Sequence, residues 1–320
     1  MKILVVSGFL GAGKTTFIQA LARITGKEFA ILENEYGEAG IDGDLLKEGN
    51  DGGTVNIWEM TEGCICCSMK GDFAASVLTI ANTVDPEYLV IEPTGVGYLS
   101  SIMNNVGQIV YERIALLAPV AIVDGYSYTR YMREYKELYT DQIKAAHTIF
   151  VSKYEQASRE EKAWLGERLR EINPEATIHT EHYSTLPKEE LLHLLRQGFD
   201  GVMMEDPSQA SDVREEDMPS TLSFQDARIA GVERLIRMLE DVIRGRYGQI
   251  IRAKGVLLVG KEKIRFDVAD GRYTITGAER ERELAVVFIG HDIQRQRIRR
   301  LLSDGAKRII RSGKKRVEIA

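Results

Sequence analysis

The sequence predicts an α/β chain: a doubly wound, mostly parallel sheet, followed by a smaller α+β domain. Three observations predict it. Short runs rich in Val and Ile recur with helix-like stretches between them, the pattern of a parallel sheet covered on both faces. The length of 320 residues exceeds one ordinary domain and suits two. The stretch Asp206–Pro219 holds two prolines, several acids and almost no apolar residue, as an exposed linker does.

The strands expected before the linker are Lys2–Ser7, Phe29–Glu33, Thr54–Glu59, Tyr88–Glu92, Pro119–Asp124, Thr148–Ser152 and Ala176–His179. Helices are expected at Thr15–Ile24, Asp72–Thr83, Asp141–Ala146 and Ser158–Ile172. Beyond the linker come a helix at Gly231–Arg244, strands at Gly255–Val259, Arg265–Val268, Tyr273–Thr276 and Leu284–Ile289, and a last helix at Ile293–Ser303. The expected organisation is therefore a first domain over 1–205, a linker over 206–219, a second domain over 220–306 and a basic tail over 307–320. Ligands of such parallel sheets bind beyond the carboxyl ends of the strands.

A hydrophobic fraction of 44% and a charged fraction of 28% are ordinary for a globular chain. No apolar run is long enough to span a bilayer, and the short run Ile3-Leu4-Val5-Val6 ends in a glycine loop rather than a cleavage site. A cytoplasmic protein with no membrane contact is expected. The net charge of −6 argues against a nucleic-acid partner, and the basic tail from Lys307 to Arg316 reads as a solvated end.

Gly8-Phe9-Leu10-Gly11-Ala12-Gly13-Lys14-Thr15 fits G-x-x-x-x-G-K-[ST] at every fixed position, between an expected strand and an expected helix. This is a phosphate-binding P-loop. Glycines let backbone N–H groups turn toward the phosphates, Lys14 reaches the β/γ oxygens, the Thr15 hydroxyl ligates Mg²⁺, and the helix that follows adds its dipole. Gly8, Gly11, Ala12, Gly13, Lys14, Thr15 and Thr16 are thus expected to hold the nucleotide. The fourth strand ends in Glu92-Pro93-Thr94-Gly95, where such proteins carry an acid for the metal or the attacking water. Gly95 is placed to offer its N–H to the γ-phosphate. Between Asn34 and Gly53 lies a loop with many acids and six glycines, which reads as a switch ordered by γ-phosphate and Mg²⁺. Its candidate contacts are Glu35 and Asp42, which complete the Mg²⁺ candidates Thr15 and Glu92. Lys14, Glu92 and Glu35 form the expected catalytic set.

All three cysteines fall within Gly63-Cys64-Ile65-Cys66-Cys67, directly after the third strand. Cys64 and Cys66 share one side of an extended backbone and Cys67 is one turn away, so the sulfurs can converge on a transition-metal ion. That reading is preferred over a redox pair or core packing. Three thiolates leave a fourth position for water, a carboxylate, a histidine or another subunit. His179 and His182 have the spacing of a metal pair but no further ligand nearby, and read as ordinary loop histidines. Trp58, Trp164, Tyr126, Tyr128, Tyr131 and Tyr135 read as core or surface packing.

Together these motifs resemble the CobW-type family of P-loop GTPases, relatives of the nickel chaperones of hydrogenase and urease. Val6 to Thr16 is similar to the family's phosphate loop, Glu33-Asn34-Glu35-Tyr36-Gly37-Glu38 to its switch, Gly63 to Cys67 to its GCxCC signature and Glu92 to Gly95 to its ExxG motif. Arg252-Ala253-Lys254-Gly255 and Val287-Phe288-Ile289-Gly290 resemble its C-terminal domain. The resemblance implies a slow GTPase with GTP, Mg²⁺ and Zn²⁺ or Co²⁺, the latter held by the cysteines. It implies delivery to a client metalloprotein or a metal-cofactor pathway enzyme, and self-association into a homodimer stays open. The rival readings are a P-loop kinase or ATPase acting on a small molecule, and a non-catalytic nucleotide-gated metal sensor or scaffold. Two departures stand out. The base-reading NKxD motif is here Ser152-Lys153-Tyr154-Glu155, so Lys153 and Glu155 must read guanine with a side chain one methylene longer than Asp. The histidine-rich tract of many zinc-handling relatives is absent.

Overall fold

The computed structural model describes residues 1–34, 55–60, 70–110, 113–199, 219–278 and 284–302. The described residues fall into two compact units, one within 1–199 and the other within 219–302.

The first unit contains a wholly parallel sheet. Its strands are β1 (Lys2–Gly8), β2 (Phe29–Asn34), β3 (Val55–Met60), β4 (Tyr88–Glu92), β5 (Ala115–Leu116), β6 (Val120–Asp124), β7 (Thr148–Ser152) and β8 (Thr177–His179). Their order is β3-β2-β4-β1-β6-β7-β8, with β5 beside β1. The central β1 is flanked by β4 and β6 and buries Ile3, Leu4, Val5 and Val6 completely, so both of its faces are apolar. The first crossover leaves β1 toward β2, and later ones carry the chain to β6 and β7 on the opposite side. In doubly wound sheets such a reversal marks the ligand side at the carboxyl edge, where β1 here ends in Gly8.

The helices of this unit are α1 (Lys14–Thr25), α2 (Lys70–Thr83), α3 (Leu99–Gly107), α4 (Tyr128–Glu134), α5 (Lys136–Lys144), α6 (Arg159–Ile172) and α7 (Lys188–Leu194). Phe17 and Ile18 of α1 lie one helical turn before Leu21 on the same face, and all three pack into the same core as Leu4, Val6 and Phe150. The helix stops at Gly26, whose N–H caps the Ala22 carbonyl in a left-handed conformation. Helix α6 starts on a reciprocal capping box, Ser158 with Glu161. Asn173, just past its end, donates from Nδ2 to the carbonyls of Ile143 and Ala146 at 2.8 Å each, closing the open end of α5.

Helices α3, α4 and α7 were not expected from periodicity, and α5 begins at Lys136 rather than Asp141. Each of α4 and α7 is seven residues long, too short to show a repeating face.

The second unit contains β9 (Ser220–Gln225), β10 (Arg228–Ile229), α8 (Val232–Ile243), β11 (Gln249–Val259), β12 (Glu262–Ala269), β13 (Arg272–Gly277), β14 (Ala285–His291) and a helix over 295–302. The order is β13-β12-β11-β14-β9, antiparallel throughout, with β10 parallel to β11. Phe266, Val268, Val286 and Phe288 point to one face and share a core with Leu235, Met238 and Leu239 of α8 and with Ile298 and Leu302. The intervening Arg252 and Asp267 form an ion pair at 2.9 Å. Strand β9 was missed because it follows directly on the acidic stretch and only Leu222 and Phe224 of its six residues are apolar, too short an alternation to stand out.

Candidate nucleotide site

The loop between β1 and α1 is positioned by its glycines. Gly8 has φ +144°, and a Cβ there would run into the Ile122 backbone of β6, so no other residue fits. Gly11 and Gly13 also have positive φ, and Gly13 is the N-cap of α1. The Ala12 N–H bonds the Phe9 carbonyl at 3.1 Å and closes the turn. Ala12 is buried and Thr16 is exposed at the start of α1. Lys14 is only 7% exposed, and its ammonium donates to the Gly8 carbonyl at 3.1 Å, across the mouth of the loop.

The Thr15 hydroxyl donates to Glu92, at 2.9 Å to Oε1 and 3.1 Å to Oε2. A strand end and a helix start 77 positions apart thus bring a hydroxyl and a carboxylate together beside the loop. Hard oxygen donors of this kind fit Mg²⁺, which takes few protein ligands and keeps the rest as water and phosphate oxygens.

Gly95 is pressed against the same loop. A Cβ on it would overlap the backbone of Phe9 and Leu10. The turn is held from behind by Gln142 of α5, fully buried, whose Nε2 donates to the carbonyls of Gly95 at 3.1 Å and Gly97 at 3.0 Å. Beside it, Asp141 accepts from the Ser100 hydroxyl at 2.5 Å and the Ser100 N–H at 3.2 Å, anchoring the first turn of α3. Phe9 is fully buried among Tyr131, Tyr135 and Tyr139, with ring centroids at 4.2, 5.0 and 5.9 Å. Burying a ring of that size contributes about 2–3 kcal/mol and fixes the loop against α4 and α5. Burial pushes the Tyr135 phenol up to about 12. Of the tyrosines read as packing, Tyr131 and Tyr135 join Tyr139 as the wall behind the P-loop, whereas Tyr128 packs on Tyr139 and Trp164, and the exposed Tyr126 on Tyr154.

On the other side, Ser152 ends β7 and its hydroxyl donates to the Ala12 carbonyl at 2.6 Å, tying the base-motif loop to the P-loop. Lys153 adopts φ +55° and its ammonium lies 3.0 Å from Asp124, a buried acid that also accepts the Ser127 N–H. Glu155 lies 3.4 Å from His182. His179 is elsewhere: its ring stacks on Phe150 at 4.8 Å, and burial holds its pKa below the ordinary value against the opposing Glu190. The two histidines therefore do not converge, and no group of three metal-ligating side chains occurs among the described residues.

The loop thus brings together Gly8, Gly11, Ala12, Gly13, Lys14, Thr15, Glu92 and Gly95, with Lys153 joined through Ser152. Glu35, Asp42, Cys64, Cys66 and Cys67 lie outside the described residues. Asp124, Asp141 and Gln142 were missed, and Ser152, read only as a departure in the base-reading motif, was missed as a tie to the P-loop, because these supports run mainly through contacts distant in sequence. The family described as CobW/HypB/UreG, nucleotide-binding domain, matches residues 2–180, more than half of the chain.

The chain belongs to the CobW/HypB/UreG family.

The cobW C-terminal domain of cobalamin synthesis proteins matches residues 220–306. Among similar proteins, Zinc chaperone YjiA of Escherichia coli is 26% identical over 321 aligned residues, covering 93% of this chain and 96% of the relative. Zinc chaperone YeiR of the same organism is 33% identical over 181 residues, covering 55% of this chain and 54% of the relative. A crystal structure of Zn(II)-bound YjiA GTPase from E. coli aligns over 95% of this chain and 98% of its own, at 21% identity and a TM-score of 0.44. The loop just described lies within the matched nucleotide-binding domain.

Proposed function

We propose that this CobW-type chain binds GTP with Mg²⁺ on the Gly8–Thr15 loop, hydrolyses it, and couples that cycle to the carriage of a transition-metal ion on Cys64, Cys66 and Cys67. The chain is a P-loop GTPase that handles metal. Zinc is the favoured cargo, since relatives spanning most of this chain or half of it are named zinc chaperones, and cobalt is the second candidate. Delivery is to a client metalloprotein. Among the described residues no helix is long and apolar enough to cross a membrane.

The observation that carries the nucleotide half is the meeting of the Thr15 hydroxyl and the Glu92 carboxylate beside Lys14. Backbone N–H groups of the loop and the start of α1 receive the phosphates, and Lys14 exchanges the Gly8 carbonyl for β/γ oxygens. Mg²⁺, when bound, neutralises charge on those oxygens. Thr15 would hold it, Glu92 would reach it through a water or help polarise the attacking water, and Glu35 and Asp42 are the further candidates. Gly95 offers its N–H to the γ-phosphate from a turn that Gln142 prevents from moving. Lys153 and Glu155 recognise the base. For the metal half, three cysteines close together in sequence would supply soft thiolate ligands, and a fourth position left to solvent or client suits transfer.

Phosphate release and zinc stoichiometry, measured on the full chain and on a variant with all three cysteines changed to Ser, test both halves. The expected result is free phosphate and GDP from both proteins, and tightly held zinc only on the unmodified one. Phosphate passed to an acceptor instead of water, or equal zinc on both proteins, contradicts the reading.

A further inference from the structure

Glu155 poses a physical problem that its neighbours solve. Its side chain has one more rotatable bond than the aspartate usual at a base-reading position, and it is 46% exposed, so an unassisted carboxylate would lose more freedom on binding a base. The loop that carries it is fixed by Ser152 and Lys153, but those contacts stop two residues short of it.

His182 lies across from it, on the turn after β8. Its Nδ1 accepts from the Ser184 N–H at 3.3 Å and sits 2.6 Å from the Ser184 hydroxyl. A backbone N–H can only donate, so the Nδ1 lone pair is committed and the neutral ring carries its proton on Nε2. That nitrogen is the one 3.4 Å from Glu155 Oε1. The ring is held in place as well. It rests on Tyr183 at 4.0 Å, and Tyr183 is itself buried edge-on against Phe17 of α1 and Phe150 of β7. The imidazole is therefore preorganised by the two elements that also carry the phosphate loop and the base-motif loop.

We propose that His182 is a positioning residue for base recognition: its Nε2–H steers the longer Glu155 carboxylate into the orientation that accepts two hydrogen bonds from guanine. Each carboxylate oxygen has two lone pairs, so Oε1 can accept from His182 and from the base together. The inference rests on the reading of Glu155 as the base-reading acid.

The test compares kcat and KM for GTP and ATP in the full chain and in His182→Ala, His182→Gln, Glu155→Ala, Glu155→Asp and the Glu155→Asp/His182→Ala double variant. A contact to a partly exposed charge of this kind changes binding by roughly three- to tenfold. In His182→Ala, KM for GTP rises by about that factor, while kcat and the KM for ATP stay put. His182→Gln, whose amide N–H donates from a similar reach, recovers most of the loss. The shorter arm of Glu155→Asp no longer meets the imidazole, so adding His182→Ala to it changes KM by less than about twofold. If Glu155→Ala abolishes the preference for GTP while His182→Ala leaves KM for GTP unchanged, the role assigned to His182 is wrong. A loss in His182→Ala that falls equally on kcat and on both nucleotides, unrepaired by Gln, marks a merely structural residue and also overturns it. If Glu155→Ala itself leaves the preference intact, the base-reading role of Glu155 fails first, and that of His182 with it.

Discussion

Replacing Gln142 with Met keeps the length of the side chain and removes its amide. The two hydrogen bonds lost run to the carbonyls of Gly95 and Gly97, both on buried residues. Leaving a buried acceptor without its donor costs about 1–3 kcal/mol. Part of that is returned, because the Gln142 Oε1 is itself buried without a hydrogen-bond partner and disappears in the variant. A net loss of about 2 kcal/mol results, which in a unit of this size lowers the melting midpoint by about 4–8 °C. The larger effect is on function. Released from Gln142, the Gly95 turn is no longer held against Phe9 and Leu10, and the N–H proposed to face the γ-phosphate loses its aim. Single-turnover phosphate release, measured well below the midpoint and at saturating GTP, is expected to slow by about tenfold or more, in keeping with the loss of one preorganised donor. GDP affinity should change little, since the diphosphate does not reach Gly95. A variant that melts early but hydrolyses GTP at the full rate would refute the claim that Gln142 holds a catalytic turn.

Three further outcomes follow from the same geometry. Gly8→Ala places a Cβ in the Ile122 backbone and a side chain at φ +144°, so nucleotide binding should fall below detection in equilibrium dialysis, with a lower melting midpoint. Glu92→Gln keeps the shape of the site but removes its charge, so the Mg²⁺ concentration giving half-maximal hydrolysis should rise several-fold, with metal-free GDP binding unchanged as read by fluorescence titration. Tyr135 is raised in the folded protein above the ordinary value of 10.0 to about 12, so the folded state holds the proton more firmly. Its contribution is whole below pH 10 and is lost as pH climbs through about 12. Melting midpoints of the unmodified chain should therefore fall more steeply across that window than those of Tyr135→Phe.

The fold was legible where physics is local. The run Ile3 to Val6 is apolar on both faces and can only be a central strand, and the loop from Gly8 to Thr15 combines backbone freedom with a fixed lysine and hydroxyl. What escaped the sequence was long-range support. Nothing in the order of residues says that Gln142 will meet Gly95, 47 positions earlier, or that Ser152 will meet Ala12, 140 positions earlier. Tyr131, Tyr135 and Tyr139 follow a helical spacing, but only the folded chain brings Phe9 between them. The histidine pair shows the same limit. Read from sequence as ordinary loop histidines, the two part company in the fold: His179 stacks on Phe150 and His182 faces Glu155, a contact spacing does not announce. Short helices such as α4 and α7 escaped because two turns give periodicity too little to act on.

The central claim is that nucleotide at the Gly8–Thr15 loop governs metal at the three cysteines. Zinc titrations of the full chain, with GDP and with a non-hydrolysable GTP analogue, measure that coupling directly. A difference in zinc affinity between the two states is expected, matched by an equal factor in nucleotide affinity when the titration is run the other way round. Identical zinc affinities in both nucleotide states would contradict the account and leave hydrolysis and metal binding as separate properties of one chain.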